Sequence, residues 1–135
     1  MILNNPPRDI RIDKENKEKY KSIARKFNKD EKEVFSLAVK VGFFYSIREK
    51  LKKPQALVQL TTFSDGEIKN MIVIAYAVLK DINKIFEGKE VVKICEEFAN
   101  GGIRKLYSLF METTEKDDIR IIEDVIDDLK LKLNP

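Results

Sequence analysis

The apolar spacing changes from alternating to helical within the first thirty residues. Ile10 and Ile12 alternate with polar neighbours in the segment "RDIRID", and this period of two predicts a short strand. Apolar positions then recur every three or four residues, which predicts a helix over residues 14–27. Asp13 is placed to cap this helix and Asn28 to end it.

Residues 30–50 form a second predicted helix, which Asp30 opens and which ends before Pro54. Apolar side chains cover almost its whole circumference, so this helix must be buried on several sides. In a chain this small, we expect a central helix or one that is shared with a second subunit. The following segment "QALVQLTTF" is ambiguous, because both an extended connection and a short helix fit its spacing.

A capping box opens the third predicted helix. In the segment "SDGE", the Ser64 hydroxyl caps the helix while the Glu67 side chain reaches back to the start of the turn. The apolar stripe that follows predicts a helix over residues 65–86, and Gly88 is placed to close it.

Two glycines separate the next helical segments, which we predict over residues 89–100 and 103–110. Asn100 and Gly101 both tolerate the left-handed conformation that ends helices, so "ANGGI" predicts a corner between two helices. The alternative is an anion site, because backbone N–H groups at a helix N-terminus bind phosphates. That candidate anion site comprises Gly101, Gly102, Arg104 and Lys105.

The last helical pattern has apolar residues three and four apart, at Ile119, Ile122, Ile126, Leu129 and Leu133. Its heptad-like seam lasts only about two repeats, which favours a core-packing face over a coiled-coil partner. The sequence therefore predicts an all-α fold in which residues 1–135 form one compact domain of five or six helices. A short N-terminal strand is compatible with this fold.

Composition excludes several classes of function. The 135 residues contain no histidine and one cysteine, so the chain cannot build a Ser-His-Asp or Cys-His relay, an internal disulfide or a multi-cysteine metal cluster. The longest apolar run, "MIVIAYAVL", is too short to span a bilayer, and the N-terminus lacks the pattern of a secretory signal. We expect a cytoplasmic protein that is not an enzyme and has no catalytic residues, metal site or cofactor.

Two features that could take part in catalysis or metal binding have simpler structural explanations. Cys95 lies on the apolar face of its predicted helix, which favours a buried thiol over a nucleophile. Acidic residues flank the C-terminal seam without the ligand order of a calcium loop, so a solvated helix face fits them best. A metal-dependent nuclease that uses Asp124 and Asp128 is a minor alternative.

Charge is unevenly distributed along a chain whose net charge is +3. Residues 1–53 hold 15 Lys and Arg against 8 Asp and Glu, whereas residues 54–135 hold 11 against 15. This asymmetry indicates a first half that faces a polyanion, although a lysine-rich proteome would produce it without any partner.

The order of elements in residues 8–47 resembles the ribbon-helix-helix DNA-binding family: "RDIRID", then "KENKEKYKSIARKF", then "NKDEKEVFSLAVKVGFFYSI". The resemblance implies a homodimer in which two chains pair their strands, and it divides the chain into parts 8–50 and 54–135. Arg11 and Asp9 would face DNA, although a carboxylate there is unfavourable except against cytosine. The expected phosphate contacts are Arg8, Arg11, Lys14, Lys17, Lys21 and Arg25.

A second resemblance covers residues 30–110. The segments "DEKEVFSLAVKVGFF", "FSDGEIKNMIVIAYAV" and "EEFANGGIRKLYSLF" are similar, in this order, to small proteins encoded beside DNA phosphorothioation (Dnd) modification and restriction genes. Phe35, Ala38 and Gly42 match the "F-x-x-A-x-x-x-G" helix of these proteins, and residues 99–103 match their "ANGGI" segment. The resemblance implies an accessory or regulatory role in defence against foreign DNA, alongside partner proteins of the same system, and it brings no catalytic residues.

We therefore expect a non-enzymatic, DNA-associated accessory protein that forms a homodimer and has no membrane association. The alternative is a helical interaction module without nucleic-acid binding, in which the apolar second helix and the C-terminal seam dock a partner protein.

Overall fold

The computed structural model describes residues 1–111, which form four α-helices and one two-stranded sheet. The elements are, in chain order, β1 (Asp9–Asp13), α1 (Lys17–Phe27), α2 (Glu31–Phe44), β2 (Pro54–Gln59), α3 (Asp65–Leu79) and α4 (Gly88–Met111). The predicted all-α fold of five or six helices is therefore wrong, although the described part is mostly helical. The predicted helix with the seam from Ile119 to Leu133 lies outside the described residues.

The sheet pairs β1 with β2 in antiparallel orientation, with Asp9 opposite Gln59, Asp13 opposite Pro54 and a bulge after Ile10. Alternation along β1 is as predicted, because Ile10 is buried while Arg11 is exposed. The ribbon-helix-helix prediction is wrong, since that fold pairs this strand with a second chain and here its partner is in the same chain. The ambiguous "QALVQLTTF" segment is the partner strand followed by a short 3₁₀ turn.

Helix α1 begins three residues later than predicted, after a 3₁₀ turn at Lys14–Asn16. The Asp13 side chain makes no capping hydrogen bond to this turn, because its carboxylate binds elsewhere. Asn28 ends the helix as expected, with a left-handed φ of 51°.

Helix α2 starts as predicted, because the Asp30 carboxylate accepts the Glu33 N–H at 2.8 Å. It ends at Phe44 rather than near residue 50. After this end, Ser46 takes a positive φ of 56°, and residues 45–53 form an irregular connection. Its broad apolar surface packs mainly against α4 and also against α1 and β2. Burial within one chain therefore accounts for this surface without a second subunit.

The capping box of α3 is confirmed: Ser64 Oγ accepts the Glu67 N–H at 3.2 Å, and Glu67 Oε1 accepts the Ser64 N–H at 2.9 Å. The helix ends at Leu79 instead of residue 86, because Lys80 adopts a left-handed φ of 52°. Gly88 begins α4 and does not close α3.

The glycine pair lies inside α4, so the predicted corner between two helices is wrong. A Cβ atom on Gly102 would lie 1.9 Å from the carbonyl oxygen of Ala38, and one on Gly42 would lie 1.9 Å from that of Phe98. The glycines therefore let the backbones of α2 and α4 approach more closely than any side chain allows. This close crossing forms the centre of the described fold.

The interior confirms the prediction for Cys95, which is fully buried on α4 with its Sγ 3.7 Å from the Met71 carbonyl oxygen. Burial raises the pKa of this thiol far above its usual range, so it remains protonated at neutral pH. None of the helices described is long and apolar enough to cross a membrane.

Candidate nucleic-acid interface

Buried polar side chains gather where the connection 45–53 crosses α4. Within residues 1–111, the buried polar and charged residues are Asp13, Asn16, Glu96, Glu97 and Asn100. The sequence suggested a role as a helix cap for Asp13 and a role in the helix corner for Asn100, but none for Asn16, Glu96 or Glu97, because polar residues at helical spacing resemble a solvated face. Polar groups are buried at low cost only when they find partners, so their partners show what this cluster does.

The cluster binds the backbone of the irregular connection at residues 45–53 through hydrogen bonds. The Asp13 carboxylate accepts the backbone N–H groups of Lys52 at 3.1 Å and Lys53 at 3.0 Å. Burial opposes ionisation of Asp13, but these two N–H groups and the neighbouring Asn100 and Arg104 outweigh it and lower the pKa of the carboxyl.

Asn100 holds the same connection from the other side. Its side-chain amide donates to the Lys50 carbonyl oxygen at 3.2 Å and to that of Glu49 at 3.4 Å, while its Oδ1 accepts from Asn16 at 2.7 Å. The Glu97 carbonyl oxygen accepts the Glu49 N–H at 3.0 Å. The asparagine of "ANGGI" is therefore an anchor for the connection, not a helix cap.

The two buried glutamates differ in how well neighbouring groups stabilise their negative charges. Glu97 forms an ion pair with Arg48 at 2.8 Å. Glu96 accepts the backbone N–H of Arg11, whose guanidinium Nε lies 3.9 Å away. Burial raises the pKa of Glu96 to about 7, because the contributions of Arg11 offset the desolvation only in part and the charge of Glu97 adds to it.

Above this cluster, basic side chains line three neighbouring surface concavities. Two of them share Arg11, Lys93 and Glu96, and the third lies beside Lys52 and Lys53, where β1 meets β2. We call these basic residues the basic strip, which comprises Arg8, Arg11, Lys14, Lys50, Lys52, Lys53, Lys89 and Lys93.

Acidic residues near the basic strip either pair with Arg104, which is outside the strip, or lie 3.9–4.0 Å from its two arginines. Glu15 and Glu49 both pair with Arg104, the latter at 2.7 Å, and Asp9 lies 4.0 Å from Arg8. Within residues 1–111, no lysine of the strip forms an ion pair. The strip is therefore a surface on which positive charge is in excess, and such a surface attracts polyanions.

The predicted DNA contacts are divided by the fold. Arg8, Arg11 and Lys14 belong to the strip. The other three predicted contacts, Lys17, Lys21 and Arg25, lie on α1 and line none of its concavities, and Lys21 is 3.9 Å from Glu18. The predicted set lacks Lys50, Lys52, Lys53, Lys89 and Lys93. The run "REKLKK" and the four-residue spacing of Lys89 and Lys93 were the available signals.

The predicted anion site is not assembled by the described structure. Gly101 and Gly102 are buried inside α4, so no helix N-terminus exists at this position. The Arg104 guanidinium binds two carboxylates, and the Lys105 ammonium lies 5.2 Å from the centroid of the Tyr45 ring.

No group of three His, Cys, Asp or Glu side chains that could hold a metal ion occurs within the described part of the chain. The acidic residues Asp124 and Asp128, which suggested the nuclease alternative, lie outside it.

The fold and its basic strip define a small, mainly helical domain with a cationic face. The family model for DNA sulphur modification system-associated protein 4 matches residues 9–131, so the chain belongs to this family. This confirms the resemblance to Dnd-associated proteins. No curated protein matches the chain, and no solved structure matches it.

Proposed function

We propose that the chain is a non-enzymatic accessory subunit of a DNA sulphur modification system and that it contacts the DNA backbone through the basic strip. The observation that supports this proposal most directly is the meeting of Arg11 from β1 and Lys93 from α4 at two adjoining concavities. Membership of a DNA modification family makes DNA the natural polyanion for this surface.

The composition of the strip favours phosphate contacts over base readout. Lysines predominate in it, and lysine binds phosphate as a point charge, whereas base recognition favours bidentate arginine or an amide. The Arg11 side chain is 55% exposed, so it can reach a phosphate while its backbone N–H stays bound to Glu96. Binding is therefore expected to be independent of sequence and to weaken steeply with salt.

The test is a salt series of duplex binding by fluorescence anisotropy. The strip variant carries Arg11→Gln, Lys89→Gln and Lys93→Gln. A control with the same loss of charge carries Lys40→Gln on α2, Lys69→Gln on α3 and Lys80→Gln directly after α3, and these residues line none of the three concavities. The slope of log K against log salt, which is negative, should become less steep in the strip variant by up to about 3, at roughly 0.9 for each phosphate that the variant no longer neutralises.

Two outcomes would contradict the proposal. Equal losses in both variants would show that net charge alone attracts the duplex. A wild-type protein that binds no duplex at low salt would remove the DNA contact altogether.

The alternative, an interaction module, is favoured by a separate observation. Val73 and Tyr76 on α3 are 65% and 47% exposed, and Ile82 and Phe86 in the following turns are also exposed. Exposed apolar groups of this size often mark contact surfaces for proteins. Size-exclusion chromatography with light scattering tests self-association through this face: a dimer that Val73→Lys and Tyr76→Lys convert to a monomer would support a homodimer.

A further inference from the structure

We propose that Glu96 regulates the basic strip by protonation: its ionised carboxylate competes with DNA phosphate for Arg11, and the protonated form releases Arg11 to bind DNA. This inference rests on the proposed function, because it concerns the control of the same surface.

The position of Glu96 is the first reason. Its side chain is only 4% exposed, yet it lines both of the concavities that Arg11 and Lys93 share. A phosphate that binds Arg11 in either concavity therefore approaches a carboxylate at the floor. The same oxygen atom of Glu96 accepts the Arg11 N–H and faces the Arg11 guanidinium.

The second reason is that the negative charge of Glu96 is stabilised by fewer or more distant groups than those of the other buried carboxylates. Asp13 accepts two backbone N–H groups, and Glu97 has a guanidinium at 2.8 Å. Glu96 has one N–H group and a guanidinium 3.9 Å away. Its raised pKa, about 7, agrees with this geometry and places its titration near neutral pH.

The charged and titratable groups around Glu96 come from β1 and the segment before it, the connection, α4 and α1. They are Arg8, Asp9 and Arg11 from β1 and the segment before it, Lys50 from the connection, and Lys89, Lys93, Cys95 and Glu97 from α4, with Tyr20 of α1 also within electrostatic range. Burial raises the pKa values of Cys95 and Tyr20 out of the physiological range. Of these raised pKa values, that of Glu96 lies near neutral pH.

Linkage gives the direction of the effect. A bound phosphate adds negative charge beside Glu96 and draws Arg11 away from it, so DNA favours the protonated carboxyl. Binding therefore takes up a proton, and affinity rises as the pH falls from 8.5 to 6. We expect an increase of about fivefold, near the lower end of common coupling factors.

The experiment compares duplex affinity at pH 6 and 8.5, at constant ionic strength, for the wild type and Glu96→Gln. The amide keeps an acceptor for the Arg11 N–H but cannot ionise. Glu96→Gln should bind at both pH values as tightly as the wild type does at pH 6. The control Glu33→Gln removes an exposed carboxylate of α2 that lines neither concavity, and it should keep the pH dependence of the wild type.

A second measurement does not depend on the variant. The carbon NMR shift of the Glu96 carboxyl in the wild type should titrate near neutral pH, and adding duplex should raise its midpoint. An unchanged midpoint, or a pH dependence that persists in Glu96→Gln, would overturn the inference while leaving salt-dependent DNA binding intact. Absence of duplex binding at every pH would overturn both proposals.

Discussion

Gly102 and Ala38 stand so close that a Cβ atom on Gly102 would lie 1.9 Å from the Ala38 carbonyl oxygen. Neither backbone can move away easily, because both belong to the packed helices α4 and α2. Gly42 has the same relationship to Phe98, and a Cβ atom on Gly101 would lie 2.5 Å from the Ile47 carbonyl oxygen. The hydrogen atoms of Gly42 and Gly102 therefore allow these two helices to cross, and that of Gly101 allows α4 to pack against the connection.

Gly102→Ala is expected to be severely destabilising. The added methyl group must force α2 and α4 apart and open voids on both sides, and overpacking of this kind costs about 1–3 kcal/mol or more. Urea unfolding followed by circular dichroism measures the loss. The control Gly66→Ala adds the same methyl on α3 in ordinary contact with Ser64 Oγ at 3.9 Å, where helix propensity should stabilise the fold by about 0.5–1 kcal/mol. A neutral Gly102→Ala would contradict the close crossing.

Local signals predicted the starts of α2 and α3 and the strand β1 well. Asp30 and the Ser64–Glu67 pair act through atoms a few residues away, so their positions in the sequence suffice. The alternation of Ile10 and Ile12 depends only on which face of the strand is buried. The family could also be inferred, because its apolar and glycine positions are in the sequence itself.

Predictions that depended on distant contacts were less successful. A glycine that ends a helix and a glycine that admits a neighbouring helix look alike in sequence, so Gly101 and Gly102 suggested a corner. Strand β2 forms because β1, about forty residues earlier, pairs with it, and no local period shows that. The basic strip combines lysines from the connection and from α4 that only the fold brings together.

The left-handed residue at the end of α3 offers a stabilising substitution. Lys80 has a φ of 52°, which is unfavourable by about 1–2 kcal/mol for residues with a Cβ atom, and glycine adopts it freely. Lys80→Gly should therefore raise the free energy of unfolding by up to about 1 kcal/mol. Lys69→Gly, within the same helix and also exposed, should lower it by about 1 kcal/mol. Thermal melts of both variants check the opposite signs, and a loss in both would show that Lys80 is not strained.

Asp13 should be important for stability because it holds the connection. Asp13→Asn replaces one acceptor by an NH₂ group that faces a backbone N–H, and the expected loss is about 1–3 kcal/mol. Asp9→Asn on the same strand is the matched control, since within residues 1–111 its carboxylate has only the weak pairing with Arg8 at 4.0 Å. Chemical denaturation measures both.

The pH dependence of that loss has a definite sign. The pKa of Asp13 is lowered in the folded state, so its stabilising effect is present above the ordinary value of 3.8 and disappears as the pH falls through the lower folded value. The stability difference between the wild type and Asp13→Asn should therefore be constant from pH 5 to 8 and shrink towards pH 3. A difference that grows in acid would mean that Asp13 is not held as an ionised acceptor.

Glu96 should affect stability in the opposite direction and in a different pH range. Its pKa rises from 4.5 to about 7 on folding, so between these values the folded protein binds more protons than the unfolded chain. The free energy of unfolding should then fall as the pH rises through this window, by up to about 3 kcal/mol at 1.36 kcal/mol per unit. Urea titrations at pH 5, 6, 7 and 8 measure this for the wild type and for Glu96→Gln, whose amide removes the titration.

The difference between these two proteins isolates Glu96, because Asp13 and Glu67, whose pKa values are lowered, change protonation on unfolding only below this range. Glu96→Gln should be more stable than the wild type at pH 8 and should lose this advantage at pH 5. If the two proteins instead keep a constant difference across the range, Glu96 titrates alike in the folded and unfolded chains. The carboxyl would then be hydrated in the folded protein. Without a buried carboxylate, the proposed competition between Glu96 and DNA phosphate for Arg11 would not depend on pH near neutrality.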